Sequence, residues 1–368
     1  MSLVFWIIAL FISFAIPTIV KLIWPHNVSY KEFLASCGVS ILSIALIFGL
    51  MKYNSTYDTE IWNGEVTEKY SDRVSCSHSY QCNCTRTESC SGTGSSRSCS
   101  TTEICQTCYD HPYDVDWVVR ANIGGTTIDR VDRQGLDEPP RWSKVVIGEP
   151  YSETFSFQNY IKASPDTLFA GSKGLVEQYK HELPNYPDIN DYYRIQRVIT
   201  KGVSVDNTLN LKLNEFQKKW GPQKQVNVIP IFLSEKYNQD FFKAVEAHWL
   251  GGKKNDVVIV TQLTKEGAVN WTRVMSRSEN KSFDKSIEYD MAQMKVFNTD
   301  AFVKIIDENI MKRFNRENFH KYEYLLNEFS PSMLAVSLGL ILSLLINIGL
   351  GYFAVKEDWF GDEMRSRY

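Results

Sequence analysis

The sequence predicts an α+β membrane protein with three transmembrane helices, an N-proximal antiparallel β region carrying a cysteine-rich insert, and an α/β sandwich. Three observations predict it. Uncharged apolar runs pile up at the two ends of the chain, seven of the eight cysteines fall between Cys76 and Cys108, and the hydrophobic period changes from two to about 3.6 near residue 204.

The spans come first. Residues 2–20 (SLVFWIIALFISFAIPTIV), 33–51 (FLASCGVSILSIALIFGLM) and 329–355 (FSPSMLAVSLGLILSLLINIGLGYFAV) carry no charged side chain. About 20 apolar residues cross a hydrocarbon layer roughly 30 Å thick, and none of the three runs keeps the polar face of a soluble core helix. The first run lacks the marks of a secretory leader, because Met1-Ser2 brings no basic side chain and the run ends in Pro17-Thr18-Ile19-Val20-Lys21. Only Lys21 to Glu32 separates the first two, so residues 1–51 are expected to form a hairpin with spans at about 3–24 and 33–51. Basic short loops resist translocation. Lys21 and Lys31 in the hairpin, with Lys356, Arg365 and Arg367 in the 356–368 tail, therefore mark a cytoplasmic side. Residues 52–328 are expected outside, in the periplasm of a bacterium whose inner membrane holds the chain.

The insert follows. Cys76, Cys82, Cys84, Cys90, Cys99, Cys105 and Cys108 sit in Ser/Thr/Gly-rich sequence too polar to bury a core, and the eighth cysteine, Cys37, lies in the second span. Such a segment needs staples to be ordered. Three disulfides with one thiol left over suit an oxidising compartment. The alternative is zinc, with Cys105-Gln-Thr-Cys108, the following His111 and Cys82-Asn-Cys84 as ligands. A Cys-x-x-Cys redox centre would call for a thioredoxin-like βαβ unit, and none surrounds Cys105 and Cys108.

Within the β-rich region, 52–203, short alternating runs at Ile61–Tyr70, Val115–Ile123, Thr126–Val131 and Trp142–Ile147 predict strands, with Pro139-Pro140 as a turn before the last. From 204 to 328 the pattern alternates between helix and strand. Leu209, Leu213, Phe216 and Trp220 share one helix face; VNVIPIFL (226–233) and DVVIVTQL (256–263) read as buried strands; Phe242, Val245 and Trp249 make a second stripe. Trp271–Met275 is a third strand, and Asn298-Thr299-Asp300 caps a last helix through Phe302, Ile306 and Phe314.

Leu209 to Leu233, then Ala247 to Val260 (AHWLGGKKNDVVIV), then Asn298 to Phe314 resemble a TPM domain over roughly residues 204–325. The resemblance implies a membrane-tethered domain facing away from the cytoplasm, and either a weak divalent-ion-dependent phosphatase or an accessory and assembly protein. Read from the residues themselves, Asp206, Asn255 and Asp256 are metal candidates whose oxygen atoms could take Ca²⁺ at that loop, although three fall short of the roughly six to eight that calcium takes. Met275-Ser276-Arg277-Ser278 stands where the family has Gly-x-Gly, and Asp206 is only a loose match, which weighs against phosphatase activity. The first half, with its insert and CYDHPYDVDW, resembles uncharacterised membrane proteins encoded by large tailed bacteriophages.

No GxSxG, HExxH, Walker or GxGxxG motif occurs, so no catalytic residue is assigned and no cofactor is expected beyond the zinc and calcium alternatives. His248 beside Trp249 reads as a packing residue, and Gly251-Gly252-Lys253-Lys254 as a turn. A net charge of −3 gives no nucleic-acid footprint. In the third span Ala335, Gly339, Ser343, Asn347 and Gly351 recur every four residues, a small and polar stripe suited to helix packing. It would meet either Ser36, Ser40 and Ser43 of the same chain or another copy. The expectation is a non-enzymatic, membrane-anchored scaffold that forms a homo-oligomer in the envelope or engages envelope proteins.

Overall fold

The computed structural model describes residues 2–91, 98–329 and 331–356. Helix α1 (Ser2–Ile23) and helix α2 (Tyr30–Thr56) are joined by a short turn. Ser29 ends that turn with a capping box, accepting from the Glu32 N–H while Glu32 accepts from the Ser29 N–H. Helix α2 runs without a loop into strand β1 (Tyr57–Val74), because Tyr57 takes up extended backbone.

Strand β1 is long enough to serve two partners. Its first half, Tyr57–Glu65, pairs with β6, and Val66–Val74 pairs with β4. Between them come the ribbon β2 (Ser79–Ser91) and β3 (Ser98–Tyr109), then β4 (Asp114–Ala121), β5 (Gly124–Ile128), a helical turn α3 (Pro140–Ser143) and β6 (Pro150–Gln158). The sheet order β5-β4-β1-β6 is antiparallel throughout. Val66, Trp117, Val119, Ile128, Val145 and Tyr151 form its core. The strand expected at Trp142–Ile147 is not formed. Pro140 instead opens a helical turn, where its fixed φ and missing N–H suit the first position, and Val146 and Ile147 are left exposed.

A second sheet follows short helices α4 (Tyr160–Ala163), α5 (Pro165–Phe169) and α6 (Lys173–Tyr179) and a two-residue ladder, β7 (Ile189–Asn190) with β8 (Arg194–Ile195). Strand β9 (Ile199–Lys201), helix α7 (Thr208–Lys224), β10 (Asn227–Leu233), α8 (Gln239–His248), β11 (Asp256–Leu263), β12 (Val269–Ser276), α9 (Phe283–Ala292) and α10 (Thr299–Arg313) build it in the order β12-β11-β10-β9. Strands β9, β10 and β11 are parallel and β12 is antiparallel. The sheet's edge strand thus comes from upstream of residue 204.

Both faces of this sheet are covered, which is why β10 and β11 are buried at every residue. Val228, Phe232, Val257 and Ile259 face α7, α9 and α10, while Ile229, Ile231, Val258 and Val260 face α8 and the Tyr179–Tyr186 segment. Since β9, β10 and β11 step in one direction across the sheet and α7 and α8 lie on opposite faces, one of the two crossovers is left-handed, against the usual preference.

A 3₁₀ stretch (Phe319–Glu328) leads to helix α11 (Met333–Lys356). Helices α2 and α11 are long and apolar enough to cross a membrane, and only 28% and 17% of their apolar windows are buried, whereas a soluble core helix is mostly buried. Helix α1 is apolar too, described with its side chains over Ile7–Ile23. The three pack together through Ala9, Ile44, Phe48, Val336 and Leu340, and leave Phe11, Leu42, Leu46, Leu338, Leu345 and Phe353 exposed. The tail at 357–368, with Arg365 and Arg367, lies outside the described residues.

Candidate functional site

The insert is an antiparallel ribbon rather than a loop. Residues opposed across it run from Ser79↔Tyr109 to Ser91↔Ser98, with an irregularity between Cys82 and Thr85 where Asn83 takes a positive φ of 47°. Disulfides join Cys82 to Cys108 and Cys84 to Cys105, and Cys90 is disulfide-bonded as well. Cys99 is opposite Cys90 in the ladder, and its side chain lies outside the described residues. Cross-links take the place of a core: Tyr80, Ile104 and Tyr109 are exposed, and the two strands pack chiefly on each other.

Cys76 is a free, buried thiol. It stands at the ribbon's root, between the end of the β1–β4 ladder at Val74↔Asp114 and the start of the ribbon ladder at Ser79↔Tyr109. The two chain crossings there bring Cys76 and His78 against His111 and Asp114, with one ligand atom of each residue within 4.8 Å of all the others. Cys76 Sγ is 3.7 Å from His111 Nδ1, His111 Nδ1 is 3.5 Å from Asp114 Oδ1, and His78 Nδ1 is 3.7 Å from Asp114 Oδ2. Asp114 is fully buried, and its oxygens are used unequally. Oδ2 accepts from the Ser77 N–H at 2.8 Å, the Ser77 hydroxyl at 3.0 Å and Arg130 at 2.7 Å, while Oδ1 accepts no hydrogen bond among the described residues. The Ser77 N–H, with Arg130 and the Ser77 hydroxyl, holds the carboxyl well below the usual carboxylate range. Arg130 is fixed in turn by Asp116 at 2.6 Å.

Four of the expected zinc candidates, Cys82, Cys84, Cys105 and Cys108, are therefore consumed in disulfides, and the thiol beside His111 is Cys76. Sequence reasoning passed over His78 and Asp114. The signal was present as Cys76-x-His78 before the ribbon and His111-x-x-Asp114 after it, placed symmetrically about a segment whose ends must meet if it folds as a hairpin.

Asp206, Asn255 and Asp256 are not brought together. Asp206 lies near Leu263 at one end of β11, where it accepts from the Thr208 N–H at 2.9 Å and from the Thr208 hydroxyl at 2.6 Å. Asp256 starts the same strand at its other end, about 23 Å away at 3.3 Å per residue. Asn255 and Asp256 belong instead to a buried polar seam between the two sheets. Asn255 donates to the Ile61 carbonyl at 2.7 Å, and Asp256 accepts from Tyr186 and Asn227 at 2.8 Å each and from the Lys253 N–H at 2.7 Å. Burial pushes the Asp256 carboxyl up to about 6 against the pull of these donors.

Arg197, 1% exposed, is the hub of the seam. Its fork donates to Asn63 at 2.6 Å and Ser152 at 3.2 Å in the first sheet, to Asn214 of α7 at 2.6 Å, and to Asn227 of β10. Burial draws its pKa down, and it stays cationic at neutral pH. Gly221 of α7 lets the helix lie directly on β1, since a Cβ there would stand 1.9 Å from the Asn63 carbonyl oxygen.

The stripe of α11 faces inward within the chain. Gly339, Ser343, Asn347 and Gly351 are buried and Ala335 is partly so. Ser40 donates to Asn347 Oδ1 at 2.8 Å, and a Cβ on Gly351 would meet Val20 at 2.9 Å. Of the two packings open to the stripe, the structure shows the contact with α1 and α2 of the same chain. Comparison with known protein families, with curated proteins and with solved structures finds no match for this chain.

Proposed function

We propose that the protein is a non-enzymatic scaffold, anchored by three spans, that presents residues 57–329 outside the cytoplasm and assembles there with its own copies or with envelope proteins. A bacterial inner membrane with a periplasmic domain is the setting that fits this reading. The observation that carries it is the ribbon: cross-linked, exposed on its apolar side chains Tyr80, Ile104 and Tyr109, and bearing two strand edges. Strand edges are templates for pairing with another chain. The cross-links suit an oxidising compartment. Because α2 ends where β1 begins and α11 follows the last body segment, the body hangs from one end of the helix bundle.

The competing reading, a weak metal-dependent phosphatase of TPM type, needs carboxylates converging on an open cleft. Asp256 is spent in the seam and Asp206 is at the far end of β11, which favours the scaffold. The α/β unit is taken as TPM-like in the sense of an assembly module, and the likeness to phage membrane proteins belongs to the same proposal.

Native mass measurement of the detergent-extracted chain tests it, alongside a variant in which residues 79–109 are replaced by a short glycine turn. The reading expects a multi-chain mass for the parent and a single chain for the variant; a single chain in both rejects self-assembly. Turnover of p-nitrophenyl phosphate with Mg²⁺ or Ca²⁺ that Asp256→Asn abolishes would move the case to the enzyme.

A further inference from the structure

We propose that Cys76, His78, His111 and Asp114 form a tetrahedral Zn²⁺ site that locks the root of the ribbon to the body. The donor set is one thiolate, two imidazole nitrogens and one carboxylate oxygen, which is the ligand chemistry of zinc. Zinc–ligand bonds of about 2.0 to 2.3 Å give a tetrahedron with edges of about 3.3 to 3.8 Å. The separations of 3.7 Å from Cys76 Sγ to His111 Nδ1 and 3.5 Å from His111 Nδ1 to Asp114 Oδ1 already have that length.

A second observation comes from Asp114. It has no exposed side-chain surface, and its Oδ1 is aimed into the cluster without a hydrogen-bond donor among the described residues. A buried acceptor left in that way costs stability unless something fills it. Meanwhile Oδ2 is held by Ser77 and Arg130, the kind of outer hydrogen bonding that orients a ligating carboxylate and leaves its partner oxygen free. The imidazoles of His78 and His111 keep 33% and 25% exposure, so an ion has a way in.

With four protein ligands the site is closed, which makes it structural rather than catalytic. Cys76 and His78 precede the ribbon, and His111 and Asp114 follow it. One ion therefore ties both crossings together between the end of one ladder and the start of the other, and sets the ribbon's stance on the sheet. It also gives a use to Cys76, a cysteine of the cluster that keeps a free thiol among the described residues. Binding places the thiol proton in solvent and leaves no redox change.

The test uses the full chain in detergent, stripped with chelator and reloaded with Zn²⁺ alone, and metal content is read by mass spectrometry after desalting. One zinc per chain is expected. Cys76→Ser and His111→Ala should each weaken binding at least tenfold, and Ser77→Ala, which removes a support of Asp114 rather than a ligand, by about 10- to 100-fold. Peptide mapping of the Cys82–Cys108 and Cys84–Cys105 bridges checks that the variants are folded. A readout free of mutation is alkylation of Cys76 in the parent chain, which zinc should slow more than tenfold and chelator restore. Full zinc content in the Cys76→Ser, His111→Ala double variant, or alkylation indifferent to zinc, overturns the proposal. Neither result depends on whether the chain self-assembles.

Discussion

Truncating Arg197 should be among the most damaging single changes outside the apolar core. The side chain donates to Asn63, Ser152, Asn214 and Asn227, which belong to four different elements. Hydrogen bonds from a charged donor are each worth about 1.5 to 3 kcal/mol, so the gross loss is about 6 kcal/mol or more. Removing a buried cation returns several kcal/mol of desolvation cost. Two of the acceptors keep other donors, since Asn63 Oδ1 accepts from Ser152 at 2.8 Å and Asn227 Oδ1 from Asn63 at 3.3 Å, whereas Asn214 Oδ1 is left without one. The net expectation for Arg197→Ala is roughly 2 to 4 kcal/mol of destabilisation. Urea unfolding of the detergent-solubilised chain, followed by tryptophan fluorescence, measures it. Arg197→Met separates volume from hydrogen bonding: it refills the space and should still cost more than about 1 kcal/mol, because the part-buried Asn214 Oδ1 loses its donor and Asn63, Ser152 and Asn227 each lose a charged one. If Arg197→Met unfolds at the parent's midpoint, the fork is not what joins the two sheets.

Within the bundle, Asn347→Ala removes the acceptor of Ser40 and should cost about 0.6 to 2 kcal/mol in a thermal melt, while Gly351→Val should displace α1 by driving a side chain into Val20. Melts superimposable on the parent's for both would mean that this face is not the packing face. Asp284 gives a pH dependence. Burial raises its carboxyl from 3.8 to about 6, so between those values the folded chain holds a proton that the unfolded chain has released. The stability it confers is complete below about pH 4 and lost as pH rises through 6, at most about 3 kcal/mol. Asp284→Asn should therefore gain on the parent by about 2 to 3 kcal/mol between pH 4 and pH 7, and a constant difference across that window would contradict the assignment.

The α/β half was legible because its signals are local. The run at 226–233 is apolar at every position but Asn227, and 256–263 carries the unbroken apolar stretch Val257–Val260; strands covered on both faces read that way. Asn298, expected as a cap, does accept from the Ala301 N–H. The apolar helices and the small-residue stripe of α11 were legible for the same reason, a period visible within one segment, but that period did not say which helix the stripe would meet. Trp142–Ile147 misled because its alternation resembles a strand, while Pro139-Pro140 had already fixed the backbone for a helical turn. The seam and the ribbon root could not be read from the sequence. Arg197 meets Asn63 and Asn227 from far along the chain, and Asp256 looks like a free metal candidate until Tyr186 and Asn227 are placed on it. His78 and Asp114 become neighbours of Cys76 only once the ribbon's antiparallel register is known, and seven cysteines do not fix a register.

The central claim is that the two sheets and the ribbon stand outside the cytoplasm, with the α1–α2 turn on the opposite side of the membrane. Single cysteines at two exposed positions test it most directly: Tyr289→Cys on α9, 67% exposed, and Pro25→Cys in the turn. The parent chain, with free thiols at Cys37 and Cys76 among the described residues, supplies the background to be subtracted. In intact cells a membrane-impermeant maleimide should label Tyr289→Cys and should reach Pro25→Cys only after lysis. Labelling of Pro25→Cys in intact cells, with Tyr289→Cys protected until lysis, would contradict the account.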